Sequence, residues 1–382
     1  MTHNKHILTY GFAIFAMFFG SGNLVFPIMI GYDSGNSWFL GFLGLLLTGI
    51  ILPFLGLFVI KLHRGNYYSF FNEAGNIAKI FIPFFTLSLL GSFGVVPRCI
   101  TVAHGGISYL FPELSLLVFA LIFSIISYIL CLKDQVMLKI LGKWMSPLLL
   151  TVLLILVIIG ILNSAPVVTE NTSNSAAFIN GFLTGYQIMD LFAAFFFSSL
   201  IFNQIKELQV IHDDGILKFA IKASLLGSSL LAIIYLGFVF LGSHYSSLLV
   251  NIPPEHMLPA IVKHIMGDTA TLFLATAMTL SCLTTAIALN NIYARYICTA
   301  LGVNANKFPI ILLITTFISF AISLLDFKVI VALLAPALEI SYPGIIFLTI
   351  ASICTKEHKA IKKYTFWGIT FCMTLYYLFL EA

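Results

Sequence analysis

The chain has 382 residues, of which 60% are hydrophobic and only 9% are charged, and its mean hydropathy is +1.05. A soluble domain is about half apolar and about a quarter charged, so this balance excludes a soluble globular protein. Apolar runs of roughly 20 residues indicate a polytopic membrane protein instead. The formal net charge of +4 does not indicate a nucleic-acid partner, because the cations are distributed by membrane side, as shown below.

We predict eleven membrane-spanning segments in chain order. The first apolar run is too long for the hydrophobic part of a signal peptide and has no clear small-residue cleavage site, so it is predicted to remain as the first helix. The predicted segments are 7–30, 37–62, 77–110, 115–132, 144–163, 177–203, 216–242, 265–299, 308–325, 328–354 and 363–380.

The distribution of lysine and arginine tests this division, because these residues gather in the cytoplasmic loops of membrane proteins. With the N-terminus inside, only Lys263 and Lys328 fall outside, and Arg98 falls within a segment. A missed helix would invert every later loop, so the bias supports the whole assignment and a cytoplasmic N-terminus. The sixteen cations predicted to be cytoplasmic are Lys5, Lys61, Arg64, Lys79, Lys133, Lys139, Lys143, Lys206, Lys218, Lys222, Arg295, Lys307, Lys356, Lys359, Lys362 and Lys363.

The first segment contains the sequence Gly20-Ser21-Gly22-Asn23, followed by Pro27. These residues lower helix propensity, and the proline removes a backbone donor. Lipid cannot satisfy the freed N–H and C=O groups, so a break at this depth is tolerated only inside protein or beside a cavity. We therefore predict that this stretch forms half of a binding site.

Three charged residues lie deep within other predicted segments, far from the segment ends: Arg98, Asp190 and Glu339. Charges inside a membrane face protein or water and indicate function by default. Arg98 and Asp190 both lie about 18 Å from the outer boundary at 1.5 Å per residue, so they are at a depth that permits pairing across helices. A purely structural ion pair and a role in gating or ligand orientation both remain open for them.

A cluster of hydroxyl groups lies in the eighth segment at Ser281, Thr284 and Thr285. Small hydroxylated residues commonly serve helix packing. Hydroxyls three and four residues apart on one helix face also suit a hard cation, especially beside carbonyls freed by an unwound neighbour. The sequence alone leaves both interpretations open.

Other features have simpler interpretations. His104 is read as a packed or pore-lining residue rather than a proton relay. The outer segment 244–264 is either a partial lid over the outer mouth or an ordinary loop. Enzyme signatures such as GxSxG, HExxH and the P-loop are absent from the sequence, so we predict that the protein is not an enzyme. Buried free thiols without metal spacing are expected at Cys99, Cys131, Cys282, Cys298, Cys354 and Cys372.

Four motifs together resemble the bacterial branched-chain amino acid:cation symporter family. They are Phe18 to Pro27 with Gly11-Phe12, then Val96-Pro97-Arg98, then Asn180 through Asp190, and finally Leu280 through Ala286. The resemblance covers most of the chain in order. It implies an all-α leucine-transporter-type fold within the amino acid-polyamine-organocation superfamily, with two inverted five-helix units and broken first and sixth helices. In a single transmembrane domain, 1–382, the units would be about 7–163 and 177–354, followed by an extra helix at 363–380.

The resemblance also implies the site residues. The backbone at the first break would hold a substrate carboxylate, and the sixth segment would supply the opposite wall. A sodium site would use the carbonyls of Ala16, Phe19 and Ser281 with the hydroxyls of Thr284 and Thr285. The implied substrate-binding residues are Gly20, Ser21, Gly22, Asn23, Tyr186, Met189 and Asp190.

Two features depart from the family pattern. We count eleven segments where relatives are expected to have twelve, although the last segment lies beyond the repeat. Glu339 is an acid where an apolar residue is expected, which permits a coupling proton instead of sodium. Arg98 and Glu339 are accordingly assigned gating or coupling roles.

We therefore expect a multi-pass symporter in a bacterial cytoplasmic (inner) membrane that imports Leu, Ile or Val with Na⁺. No cofactor and no nucleic-acid partner are expected, and the sequence does not give the oligomeric state. The alternatives are a proton-coupled or broader-range neutral amino acid transporter of the same fold, and an amino acid sensor or receptor that does not transport. A membrane enzyme is disfavoured because no catalytic constellation is present.

Overall fold

The computed structural model describes residues 2–132, 136–164, 166–167, 172–207, 213–355 and 358–380, and within these ranges the regular structure is entirely helical. Lys133 and Lys356, two of the predicted cytoplasmic cations, lie outside the described residues. The α-helices are α1 (Thr2–Phe18), α2 (Ser21–Ser34), α3 (Trp38–Leu45), α4 (Leu52–Leu62), α5 (Tyr67–Phe71), α6 (Asn76–Leu90), α7 (Val95–Ser108), α8 (Leu116–Leu132), α9 (Val136–Leu162), α10 (Asn174–Ile188), α11 (Asp190–Glu207), α12 (Asp213–His244), α13 (Pro254–Ala300), α14 (Phe308–Ser323), α15 (Phe327–Cys354) and α16 (Lys359–Leu380).

Helical structure lies at each of the eleven predicted segments, and several of these segments consist of two helices. The first is α1 with α2, the third is α6 with α7, and the sixth is α10 with α11. Within the described ranges, five helical stretches are long and apolar enough to cross a membrane: Ser21–Leu62, Asn76–Ser108, Lys218–His244, Pro254–Ala300 and Phe327–Cys354. Shorter apolar helices lie at the first, fourth, fifth, sixth and ninth predicted segments. Helix α16 lies at the eleventh. The count of eleven crossings stays a prediction.

Helix α2 lies at the centre of the molecule and packs against α7, α10, α12 and α13. Its contact with α12 is unusually close, because a Cβ added at Gly31 would lie 2.0 Å from the carbonyl oxygen of Val239. Glycine also brings α3 and α10 together, where a Cβ at Gly181 would lie 1.9 Å from the oxygen of Gly41. Small residues are the usual means of close approach between membrane helices. This packing holds the first break against the sixth segment.

The segment 244–264, which the sequence predicts to lie outside, is more ordered than a plain loop. Helix α13 begins at Pro254, and its backbone leaves helical geometry at Gly267, where φ is 78°. The first part of α13 is packed into the protein, with Leu258 and Ile261 fully or almost fully buried. His256 lies 3.2 Å from the hydroxyl of Ser108 at the end of α7. This segment therefore forms a helix packed on the end of α7.

A buried polar cluster joins the connector between α4 and α6 to the last two helices of the chain. Lys362 of α16 donates to Glu73 at 2.8 Å, and Ser352 of α15 donates to the same carboxylate oxygen. Lys362 also donates to the carbonyl of Thr355 at 2.6 Å, and His63 lies 3.5 Å from the other oxygen of Glu73. The cluster fixes the connector between α4 and α6 to the last two helices. It lies at the end of the molecule that the positive-inside pattern assigns to the cytoplasm.

Candidate functional site

The first break lies between α1 and α2, at Phe19 and Gly20. Gly20 is extended, with φ −120° and ψ −157°. Its N–H donates to Oδ1 of Asn23 at 2.9 Å instead of continuing the α1 ladder to Ala16. The unwound stretch is therefore shorter than predicted, because Ser21, Gly22 and Asn23 already form the first turn of α2. The side chain of Asn23 caps the first turn of α2, so only Phe19 and Gly20 lie between the two helices.

The second break lies between α10 and α11, at Met189. Met189 is a non-glycine residue in the left-handed region, with φ 64° and ψ 17°. Such residues are uncommon and cost free energy unless the surroundings hold them. Met189 is fully buried, and Asp190 directly after it begins α11. This confirms the predicted break in the sixth segment.

One hydrogen-bond network joins the two breaks. Nδ2 of Asn23 donates to Oδ2 of Asp190 at 3.0 Å, and the hydroxyl of Tyr235 on α12 donates to the same oxygen at 3.2 Å. Asn23 and Tyr235 are also in direct contact. All three side chains are buried. Buried polar networks of this kind fix one arrangement of the helices that carry them, because each unsatisfied group is costly.

Sequence reasoning missed Tyr235. Its hydroxyl is a polar group within the apolar seventh segment, and this was the only feature of the sequence that could have indicated a functional role. Helical periodicity alone could not identify its partner, because Tyr235 and Asn23 are 212 positions apart.

A small cavity lies between the breaks. Six of the seven predicted substrate residues line it: Gly20, Ser21, Gly22, Asn23, Met189 and Asp190. The seventh, Tyr186, does not line this cavity. Its ring stacks on Tyr342 of α15 with centroids 4.4 Å apart. The remaining lining is almost entirely apolar and comprises Met17, Phe18, Leu90, Val95, Ile188, Ala193, Phe197, Thr285 and Leu289.

Two of the predicted cation ligands on α13, Ser281 and Thr285, lie against the first break. Ser281 on α13 donates its hydroxyl to the carbonyl of Phe19 at 2.8 Å. Thr284 donates to the carbonyl of Ser281 at 2.8 Å. Thr285 faces Gly20, since a Cβ added to that glycine would lie 3.3 Å from the Thr285 hydroxyl oxygen. That oxygen is buried and has no hydrogen-bond partner among the described residues.

Ala16 is the fifth predicted cation ligand. It lies one helix turn before Gly20 and is half-buried. The N–H of Gly20 would bond to the Ala16 carbonyl in a continuous helix but instead bonds to Asn23. A break of this type supplies oxygen atoms to a cavity, which is the chemistry that a hard monovalent cation requires.

Arg98 and Asp190 do not form a direct ion pair in the structure. A structural ion pair was one of the two interpretations that the sequence allowed for them. Arg98 on α7 is fully buried and donates through Nη1 to the backbone carbonyl of Gln187 at 2.6 Å. Its guanidinium carbon also lies 5.5 Å from the centre of the Phe26 ring. Asp190 instead accepts from Asn23 and Tyr235. The two charges share one region without contact.

Glu339 is outside the cavity lining. It is half-buried on α15 and is close enough to Tyr186 for an electrostatic interaction. His104 is a packed residue, with its ring 2.8 Å from the carbonyl of Leu114 and against Phe119.

The geometry of two broken helices around an apolar, polar-ended cavity can be compared with known proteins. The model of a family described as branched-chain amino acid transport protein matches residues 3–379. The chain belongs to this family. Branched-chain amino acid permease BraB from Bacillus subtilis (strain 168) is 30% identical over 371 residues, which cover 94% of this chain and 82% of the permease. Members of this family are multi-pass membrane transporters and not enzymes, as the sequence predicted.

Solved structures identify the fold of this family member. A closed conformation of MHP1, a nucleobase-cation-symport-1 family transporter, superposes with a TM-score of 0.65 at 16% identity and covers 90% of this chain and 77% of that one. A manganese transporter from Eremococcus coleocola gives a TM-score of 0.62 at 13% identity and covers 97% of this chain and 85% of that one. These similarities confirm the leucine-transporter-like fold expected from the sequence.

Proposed function

We propose that this branched-chain amino acid transport family member is a secondary symporter that imports leucine, isoleucine or valine together with Na⁺. The single observation that carries the proposal is the cavity between the two broken helices. It combines free helix ends and four polar side chains, those of Ser21, Asn23, Asp190 and Thr285, with an otherwise apolar lining. The Bacillus subtilis relative is named a branched-chain amino acid permease, which supports the same substrate class.

The substrate's head group would lie at the breaks. The first turn of α2 presents the N–H groups of Ser21 and Gly22 at a helix N-terminus, which favours a carboxylate. Asp190 supplies an acceptor for the amine on the opposite wall. The branched side chain would contact apolar groups such as Ile188, Phe197 and Leu289. A methyl-rich lining of this kind binds aliphatic side chains through the hydrophobic effect.

The coupling ion would bind beside the first break, near Ser281, Thr284 and Thr285. Neutral oxygen atoms from two helices can replace the hydration shell of a monovalent cation. Because the same break also contributes to the substrate cavity, ion binding and substrate binding would stabilise the same helix arrangement. Transport would then proceed by alternating access, with release of both on the cytoplasmic side.

Proton coupling is the second candidate, and Asp190 is the observation that favours it. This carboxylate is 5% exposed and lies inside the proposed site. Protonation and release of a buried acid can drive conformational exchange as cation binding does. Glu339 is a weaker candidate for this role, because it does not line the cavity.

Uptake of radiolabelled leucine into proteoliposomes, with sodium and pH gradients imposed separately, distinguishes these candidates. Sodium-driven uptake supports the first proposal, and proton-driven uptake supports the second. Uptake that is indifferent to both gradients contradicts symport. The double variant Thr284→Ala, Thr285→Ala should raise the sodium concentration needed for half-maximal uptake at least several-fold.

Thr349→Ala is the matched control for that double variant. Thr349 is a fully buried threonine on α15 whose hydroxyl bonds only within its own helix, to Ile345 at 2.8 Å. Its removal tests whether loss of any buried hydroxyl changes the sodium dependence. An unchanged sodium dependence in the Thr284 and Thr285 variant refutes the assigned cation ligands.

A further inference from the structure

Arg98 is the most costly unsatisfied side chain among the described residues. Its exposure is 0%, and a buried cation loses its hydration without compensation unless it finds partners. A guanidinium carries five N–H donors in a fixed fork. Only Nη1 has a described partner, the carbonyl of Gln187, while Nε and Nη2 have none within the described ranges.

The free part of this fork has the geometry that a carboxylate matches. Nε and Nη2 lie on one edge of the guanidinium, and this edge can form two parallel bonds to a carboxylate. Gln187 Oε1 is also buried and without a described partner, but a neutral amide cannot neutralise the charge. The missing partner is therefore an anion.

Arg98 lies directly behind the cavity described above. Val95, one turn earlier on α7, lines the cavity, and the Sγ atom of Cys99 lies 3.5 Å from the hydroxyl of Ser21. The carbonyl bonded to Arg98 belongs to Gln187, two residues before the break at Met189. Arg98 thus extends from the wall beside the first break to the end of α10 at the second.

Asp190 carries the opposite charge in the same region and accepts hydrogen bonds from Asn23 and Tyr235. Asp190 and Arg98 interact electrostatically but make no direct bond. A pair of opposite charges held apart attracts a molecule with the complementary arrangement of charges. An α-amino acid zwitterion has its carboxylate and its ammonium group attached to the same α-carbon, and it is neutral as a whole.

We propose that Arg98 is a specificity-determining residue that binds the substrate's carboxylate through Nε and Nη2, while Asp190 binds the substrate's ammonium group. The proposal rests on the amino acid transport proposed above and deepens it. The first-turn N–H groups of α2 orient the carboxylate, and Arg98 neutralises its charge. The protein then selects zwitterions over molecules that have the same aliphatic side chain but lack one of the two charges.

The test combines changes in the protein with changes in the ligand. Affinities of purified protein for L-leucine and for L-leucinamide, which keeps the ammonium and the side chain but has no carboxylate, are measured by displacement of radiolabelled leucine or by ligand-induced thermal stabilisation. Arg98→Gln should weaken leucine about 10- to 100-fold, the range for charged hydrogen bonds, and leave leucinamide nearly unchanged. The Arg98→Gln variant should therefore largely lose the preference for leucine over leucinamide that the wild-type protein shows.

Two further variants keep the test decisive. Arg98→Lys retains the charge without the fork, so it should fold if Arg98→Gln does not, and it should weaken leucine less than Arg98→Gln while sparing leucinamide. Arg295→Gln is the matched control, because Arg295 lies at the far end of α13, bonded to Asn291 at 2.7 Å. It should leave the leucine-to-leucinamide ratio at the wild-type value.

Each outcome has one meaning. Equal losses for leucine and leucinamide in Arg98→Gln or Arg98→Lys would assign Arg98 to gating or packing and overturn the proposal. The proposal is also overturned if the wild-type protein transports leucine and the Arg98→Lys variant keeps the full wild-type preference for leucine over leucinamide. If wild-type protein binds no branched-chain amino acid, the proposed function itself fails, and the two failures are thereby distinguished.

Discussion

Replacement of Asn23 by alanine tests the network that joins the two broken helices. The Asn23 side chain is 2% exposed and makes three polar contacts: Oδ1 accepts from Gly20, and Nδ2 contacts Asp190 and Tyr235. Alanine removes all three contacts and leaves the Gly20 N–H and part of the Asp190 carboxylate without partners. A buried donor or acceptor without a partner costs its desolvation free energy.

The magnitude follows from the type of each bond. The local bond to Gly20 contributes about 1 kcal/mol. Polar contacts between membrane helices contribute about 0.6 kcal/mol on average and about 1.7 kcal/mol at most, so the two interhelical contacts are assigned that range. Asn23→Ala should therefore lower the free energy of unfolding by about 2 to 4 kcal/mol. It should also abolish leucine uptake, because the polar end of the cavity would lose its geometry.

Asn290→Ala is the matched control for this prediction. Asn290 on α13 is 1% exposed, and neither atom of its amide has a hydrogen-bond partner among the described residues. The same substitution there removes packing without breaking a described bond. Reversible unfolding in mixed micelles, followed by circular dichroism, measures both variants. If Asn23→Ala costs no more stability than Asn290→Ala, the network does not hold the breaks together and the reasoning is refuted.

Three further changes test other parts of the structure. Gly181→Ala should strongly reduce the melting temperature, because the added Cβ would force α3 and α10 apart. Gly368→Ala on α16 is its control, because nothing lies within 4 Å of the added Cβ there. In the same melting assay this control should be neutral or stabilising. Tyr235→Phe removes one of two described bonds to Asp190 and should cost about 1 kcal/mol in unfolding experiments, with weaker leucine binding; unchanged binding would separate the tyrosine from the site. Burial lowers the pKa of His63, so the folded state binds fewer protons and stability should fall as pH drops below about 6.5. His63→Asn should flatten that part of the pH profile, and a profile identical to wild type would exclude His63 as its origin.

The chemical character of the breaks could be predicted because it is local. Glycine, serine and asparagine in a membrane segment reduce helix propensity wherever that segment packs, so the interruption near Gly20 follows from composition and lipid chemistry. The length of the break was overestimated, because the side chain of Asn23 caps α2 so early. Only the resemblance to a known family indicated the second break, since Met189 gives no local warning of a left-handed backbone.

The hydroxyl-bearing face of the eighth segment could also be predicted from the sequence only in part. The spacing of Ser281, Thr284 and Thr285 places them on one side of a helix, which helical periodicity requires. Their contact with the first break depends on how α13 packs against the chain 262 residues earlier, where Ser281 meets Phe19. Periodicity defines a face but not its neighbour, so the sequence could not choose between packing and a cation site.

Depth within the membrane proved a poor guide to contact. Arg98 and Asp190 were predicted at similar depth, yet each has a different described partner. Helices at one depth can present any face to one another, and the rotation about each axis is fixed by packing over the whole bundle.

The sequence by itself determined that the protein is a membrane protein, where its first helix breaks, and which oxygen-bearing side chains are available. These properties depend on residues close together in the chain and on their solvation in lipid. The tertiary structure alone decided that Asn23 meets Asp190 and Tyr235, and that the guanidinium of Arg98 lies behind the cavity without a described anionic partner. Such contacts join helices separated by up to 212 residues, and packing of complete helix faces, rather than local propensity, brings them together.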